Sequence, residues 1–241
     1  MENETDLIPG IFNYCDRWCE RCDFSGRCRV FADERAMFLE DSDDPMGDAL
    51  LAVAESFAEA KAMLEERAEE MGIDLEAAMN DPEIEEEMRR SSETVRSEEA
   101  SKLAIKYSLE TRALLDNPET WAGDAEEDPI IADTLEVLCY YLFSVAVKVQ
   151  SSFNAALDTD GNYEAEQISH PQSYANGTAK ITLIILERSI LGWTYLMSEN
   201  NTAVVRPVIE QLERIRHLLE KKFPNARDFI RPGFDEIETI M

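Results

Sequence analysis

Histidine is nearly absent from this chain: 241 residues contain two, His170 and His217. Chemistry that depends on imidazole therefore has little to work with, which sets aside histidine-based zinc hydrolysis and Cys-His nucleophilic catalysis. A di-iron carboxylate site, the obvious enzyme for a helical bundle, wants Glu-x-x-His on two helices. At that spacing Gln167 precedes His170 and Arg214 precedes His217, so this class is rejected. Positive charge is the second shortage. There are 51 acidic residues against 23 basic ones, a formal charge of −28. Such a field repels phosphate backbones, and nucleic-acid binding draws its affinity from clustered Lys and Arg, so direct DNA or RNA binding is disfavoured. The acidic surface confers solubility and leaves open a protein partner of basic character.

Long apolar runs are missing as well. The greasiest stretches, Leu138 to Val147 and Ile181 to Leu186, are bounded by Glu136, Lys148, Lys180 and Glu187. Neither approaches the roughly 18 to 20 residues that span a bilayer. The opening MENETDLIPG is acidic and lacks the basic and apolar regions of a signal peptide. The expectation is a cytoplasmic protein without membrane association. Alternating apolar residues bounded by hairpin turns are also lacking, which leaves a sheet without support. No internal repeat is visible.

What the sequence does hold is helical periodicity from about residue 45 to about 222. Asp44-Pro45, Asp81-Pro82 and Asp128-Pro129 each set a capping acceptor before a proline suited to the first helical turn. The first helix, about 45 to 71, carries one apolar stripe of Leu50, Val53, Phe57, Ala60, Leu64 and Met71. A second, about 82 to 115, is poorer in apolar residues and is placed on the outside. The third and fourth, about 129 to 157 and 171 to 198, are apolar on most faces and are placed at the centre. The fifth, about 202 to 222, has a stripe of Val205, Val208, Leu212, Ile215 and Leu219. The fold class that follows is all-α: an antiparallel helical bundle of about five helices over residues 45–241, preceded by a short Cys-rich segment, residues 1–44. The tail beyond Pro224 carries Phe229, Ile230 and Phe234 and is expected to pack back on the body.

The Cys-rich segment is the most informative part. Cys15, Cys19, Cys22 and Cys28 fall within fourteen residues, spaced C-x3-C-x2-C-x5-C. In a reducing cytosol clustered thiols are ligands rather than disulfides. On a helix Cys15, Cys19 and Cys22 share one face, and a turn at Ser25-Gly26 returns Cys28 as a fourth ligand. Thiolates this close repel one another unless a cation neutralises them, and a bound metal supplies that charge. Structural zinc usually takes paired ligands from two separated knuckles. An iron–sulfur cluster accepts several cysteines from one wrapping loop, so [4Fe–4S] is favoured over zinc. A third reading is reduced thiols packed with Ile11, Trp18 and Phe31. The fifth cysteine, Cys139, lies in the apolar run of the third helix and is assigned to the core.

Over about ten residues, Cys19-x2-Cys22-x5-Cys28 with Phe24 between resembles the segment that holds three corners of the [4Fe–4S] cluster in the Cas4 and AddB nucleases. It is also similar to a run in auxiliary-cluster domains of radical-SAM maturases. The resemblance implies Cys19, Cys22 and Cys28 as cluster ligands with Cys15 as the candidate fourth. It brings no nuclease activity, because nothing else in the chain resembles a nuclease core. The overlapping Cys15-x3-Cys19-x2-Cys22 looks like the radical-SAM signature but has Arg21 where that family carries an aromatic residue, and a helical chain lacks its barrel. As a whole the chain resembles a group of bacterial all-helical proteins with such an N-terminal cysteine run.

Two further features are weighed. Asp158-Thr159-Asp160-Gly161-Asn162 is similar to a calcium loop, but Gly161 at the sixth position puts Ala156 first and Gln167 twelfth, so the strongest ligands are missing. Lys148, Lys180, Glu187 and Arg188 interrupt apolar helices, where an unpaired charge is costly. With Glu136 and Tyr140 they form a possible interior polar site, and structural ion pairs or snorkelling side chains are the competing explanation. Function is thus legible as metal binding by a cytoplasmic protein, a [4Fe–4S] centre of structural or redox role. The alternative is a zinc-stabilised acidic interaction module without catalysis.

Overall fold

The computed structural model describes residues 6–38, 45–116, 128–158, 160–200 and 203–235. Among these the regular structure is helical: α1 (Arg29–Phe38), α2 (Pro45–Met71), α3 (Leu75–Met79), α4 (Pro82–Ser97), α5 (Glu99–Leu115), α6 (Pro129–Asn154), α7 (Ala165–Ser169), α8 (Tyr174–Asn200) and α9 (Val205–Lys222). The all-α class expected from periodicity is what the chain adopts. Asp128 caps α6 as its spacing requires, accepting from the Ile130 amide at 2.8 Å, and Asp81 accepts from Glu83 at 2.8 Å. Asp44 and the connection 117–127 lie outside the described residues. The chain forms two compact units, Met1–Met88 with Pro232–Met241, and Arg89–Arg231.

The second unit is built on α5, α6, α8 and α9, with each helix packed against two of the others in the cyclic order α5, α6, α8, α9. Its core is apolar, with Trp193, Tyr107, Tyr141, Phe153, Phe223 and Leu138 fully buried or nearly so. α6 and α8 run antiparallel. Ser152 meets Thr182 at 2.9 Å near one end, while Leu138 lies against Gly192 toward the other. A Cβ on Gly192 would stand 3.0 Å from Leu138, so glycine there lets the two helices close together. α5 and α9 are also antiparallel, through Gln211 to the Leu103 carbonyl at 2.7 Å and Arg214 to Glu99 at 3.0 Å. Trp193 Nε1 donates to the Tyr107 hydroxyl at 3.1 Å, linking α8 to α5. Burial pushes that phenol up to about 12, which keeps it neutral.

Several expectations are corrected. The second expected helix is two, because Ser97 turns its hydroxyl back on the Thr94 carbonyl at 2.7 Å and Glu98 takes an extended conformation. Its second half, α5, is not on the outside. It buries Ala100, Ser101, Ala104, Tyr107, Ser108 and Thr111, a face too small and polar to register as a stripe. The α2 stripe, expected to be buried, is exposed at Leu50, Val53, Phe57 and Leu64. Cys139, assigned to the core, is exposed on α6. By length and composition α6 can cross a membrane, its best 18-residue window having a mean hydropathy of 1.7. Here it packs in the bundle, with Leu138, Tyr141, Val145 and Val149 buried.

The segment likened to a calcium loop is a tight turn. Gly161 has φ +76, Asp158 accepts from the Asn162 amide at 2.7 Å, and Leu157 bridges Tyr163. The Asp158 carboxylate is spent on its own backbone.

Candidate metal centre

The cysteine segment belongs to the first unit and is not the expected helix. It is a string of single 3₁₀ turns, Ile11–Tyr14, Cys19–Arg21 and Ser25–Arg27, followed by α1. Cys15, Cys22 and Cys28 are the extended residues that close the three turns, and Cys19 opens the second. The turns are held locally: Cys22 donates to the Cys19 carbonyl at 3.2 Å, and Cys28 to that of Ser25 at 3.2 Å. The turn expected at Ser25-Gly26 is present. Such short turns redirect the chain every few residues, which carries it around a centre instead of along an axis.

All four thiols line one cavity, together with Ile11, Phe12, Asp16, Arg17, Trp18, Ser25, Phe31 and Phe234. Each cysteine is half-buried and none is in a disulfide. Ile11 and Trp18 are buried beneath them, and Arg21 lies over the Trp18 ring at 4.2 Å. Arg17, between Cys15 and Cys19, has φ +64, a left-handed conformation that costs a non-glycine residue about 1 to 2 kcal/mol. The Asp16 carboxylate steadies it by accepting from the Trp18 amide at 3.2 Å. Strain of this kind concentrates at functional sites.

The far wall comes from the other end of the chain. Phe234 packs edge-on against Phe24, and the preceding Gly233 crosses so close to Ile8 and Ile11 that a Cβ would sit 2.9 Å from the first and 3.0 Å from the second. Sequence reading missed Arg17 and Phe234 as part of this site; the apolar tail was its only signal for the latter. The tail's other members differ. Phe229 is buried in the second unit, while Ile230 is exposed.

The Cys19 thiol is pushed up to about 11 by burial, then by Glu34, Cys15, Cys28 and Glu20. Without a metal it stays protonated at neutral pH; with one, the proton is released and the thiolate becomes a ligand. From Asp6 to Phe38 the chain has six acidic residues against five arginines, a near balance in a protein of charge −28. An anionic thiolate cluster is therefore less opposed here than the charge of the whole chain suggests. Among the described residues no three His, Cys, Asp or Glu side chains gather tightly enough for a single ion. One tetrahedral zinc at about 2.3 Å from each sulfur would need the sulfurs about 3.8 Å apart.

The residues of the possible interior polar site each have partners of their own. Arg188 is exposed and donates to the Tyr141 hydroxyl at 2.6 Å, with Tyr140 stacked edge-on against Tyr141. Glu187 pairs with Arg227 at 2.6 Å, and Arg227 also holds Glu220 at 2.6 Å. Lys180 donates to the Phe229 carbonyl. Glu136 is exposed on α6, and the half-buried Lys148 lends its carbonyl to Ser152 and Thr182. Charges among the apolar helices are thus distributed over separate structural partners.

Comparison with protein-family models, with curated proteins and with solved structures finds no match to this chain.

Proposed function

We propose that this is a cytoplasmic metal-binding protein that carries a [4Fe–4S] cluster on Cys15, Cys19, Cys22 and Cys28, with a structural or redox role. The observation that carries the reading is the convergence of all four cysteines, from one wrapping run of turns, on a single cavity. The compact spacing of the four cysteines supports it over zinc. When bound, such a cluster can exchange an electron and can staple the segment that wraps it. Ile11, Trp18 and Phe234 would give it an apolar side.

Anaerobic purification followed by iron, sulfide and zinc analysis tests this directly. About four irons and four sulfides per chain are expected, with a brown chromophore lost in Cys19→Ser, Cys22→Ser and Cys28→Ser. Colourless protein with one tightly held zinc would replace the reading by the zinc-stabilised module; protein with neither metal would end it.

A further inference from the structure

Five arginines lie among the thiols and on α1, and four of them are engaged. Arg21 lies over the Trp18 ring at 4.2 Å and Arg35 over the Phe31 ring at 6.0 Å. Arg27 donates to the Asp6 carbonyl at 3.2 Å, and Arg29 pairs with Asp33 at 3.6 Å. None of these four lines the cysteine cavity. Arg17 does, and it is exposed. Among the described residues its guanidinium has no hydrogen bond, ion pair or ring contact. The backbone adds an independent observation. At φ +64 a glycine or an asparagine would be accommodated more cheaply, yet this position carries a long cationic side chain. Asp16, the other charged residue of the lining, helps to hold that conformation through the Trp18 amide at 3.2 Å.

We propose that Arg17 is the counter-cation of the thiolate centre and sets how readily that centre accepts an electron. The inference rests on the reading that Cys15, Cys19, Cys22 and Cys28 hold a metal group. Four thiolates outweigh the positive charge of the core they bind, [4Fe–4S] or zinc, so the loaded centre is anionic in a chain of net charge −28. A guanidinium on the cavity's lining offsets that charge, and it stays protonated at any working pH. Net charge and hydrogen bonds to the sulfurs are among the quantities that fix a cluster's reduction potential. When a one-electron donor such as a reduced viologen passes its electron to the centre, the donor is oxidised, no bond forms or breaks, and the centre becomes more negative. Arg17 stabilises that state more than the oxidised one and so raises the potential.

Dye-mediated redox titration of the anaerobically purified full chain, with iron and zinc measured on each sample, is the test. Arg17→Gln and Arg17→Lys carry the same left-handed backbone penalty and differ in charge, which separates the charge from the strain. Arg17→Gln is expected to keep its iron yet disfavour reduction about tenfold, a midpoint lower by about 59 mV for one electron. Arg17→Lys should restore most of that difference. An unchanged midpoint in Arg17→Gln, or an equal drop in Arg17→Lys, would overturn the proposal while leaving the cluster reading intact. If the wild type is colourless and holds zinc, the cluster reading fails by itself, and the role of Arg17 is read from chelator competition: Arg17→Gln should give up zinc about tenfold faster than Arg17→Lys, and equal rates would overturn it. Wild type with neither metal would end both readings at the metal analysis, before any variant is compared.

Discussion

Phe234 meets Phe24 edge-on with ring centroids 5.0 Å apart, which brings the last described turn of the chain onto the wall of the cysteine cavity. The contact depends on the residue before it. Gly233 has φ +74 and lies against Ile8 and Ile11, so a side chain there is disfavoured twice, by backbone conformation and by space.

Gly233→Ala is expected to destabilise the first unit by about 1 to 3 kcal/mol. Gly72 makes the natural comparison, since its φ is +68 but nothing lies within 4 Å of an added Cβ. Gly72→Ala should show the backbone penalty alone. Alkylation rates of Cys15, Cys19, Cys22 and Cys28, followed by mass spectrometry, should rise in Gly233→Ala and in Phe234→Ala but not in Gly72→Ala.

Metal-free protein should lose stability in alkaline solution. Burial, then the nearby carboxylates and thiols, pushes the Cys19 thiol up to about 11 in the folded chain from 9.0 ordinarily. The folded state thus keeps a proton that the unfolded chain gives up, and stability present below pH 9 is lost as the pH climbs toward 11. Thermal melts from about pH 8 to about pH 11, a range that starts just below the ordinary thiol value, should fall more steeply for the wild type than for Cys19→Ser. Equal slopes would assign the loss to other groups.

Gly192→Ala weighs two effects of opposite sign. Alanine improves helix propensity by about 1 kcal/mol, but its Cβ would stand 3.0 Å from the buried Leu138, and overpacking costs about 1 to 3 kcal/mol. Leu138 is fully buried and has nowhere to retreat, so a net loss in urea unfolding is expected.

Glu187→Gln should cost less than about 1 kcal/mol, because its bond to Arg227 is surface-screened and Arg227 keeps Glu220. Loss of a ligand-dependent function without loss of stability would instead revive an interior polar site.

The central pair of helices was legible because α6 and α8 are apolar on most faces, and the α9 stripe because its members recur strictly. Val205, Leu212, Ile215 and Leu219 are all buried. The role of α5 was hidden, since Ala100, Ser101, Ala104 and Ser108 bury by being small, and smallness leaves no hydrophobic period. The α2 stripe was read correctly as a pattern, yet a pattern states a need for burial without naming what supplies it. At the cysteines, spacing announced a shared centre but not its backbone. Three-residue turns follow from local hydrogen bonds such as Arg27 to the Phe24 carbonyl at 2.9 Å, and those leave no trace in composition. Phe234 escaped because its neighbours in space lie at the far end of the chain.

That last separation has an outcome for assembly. During synthesis the four thiols emerge well before the aromatic side chain that adds to their enclosure. The cysteine run therefore leaves the ribosome before Phe234 is made, and whatever fills the cavity can arrive before that side chain closes over it.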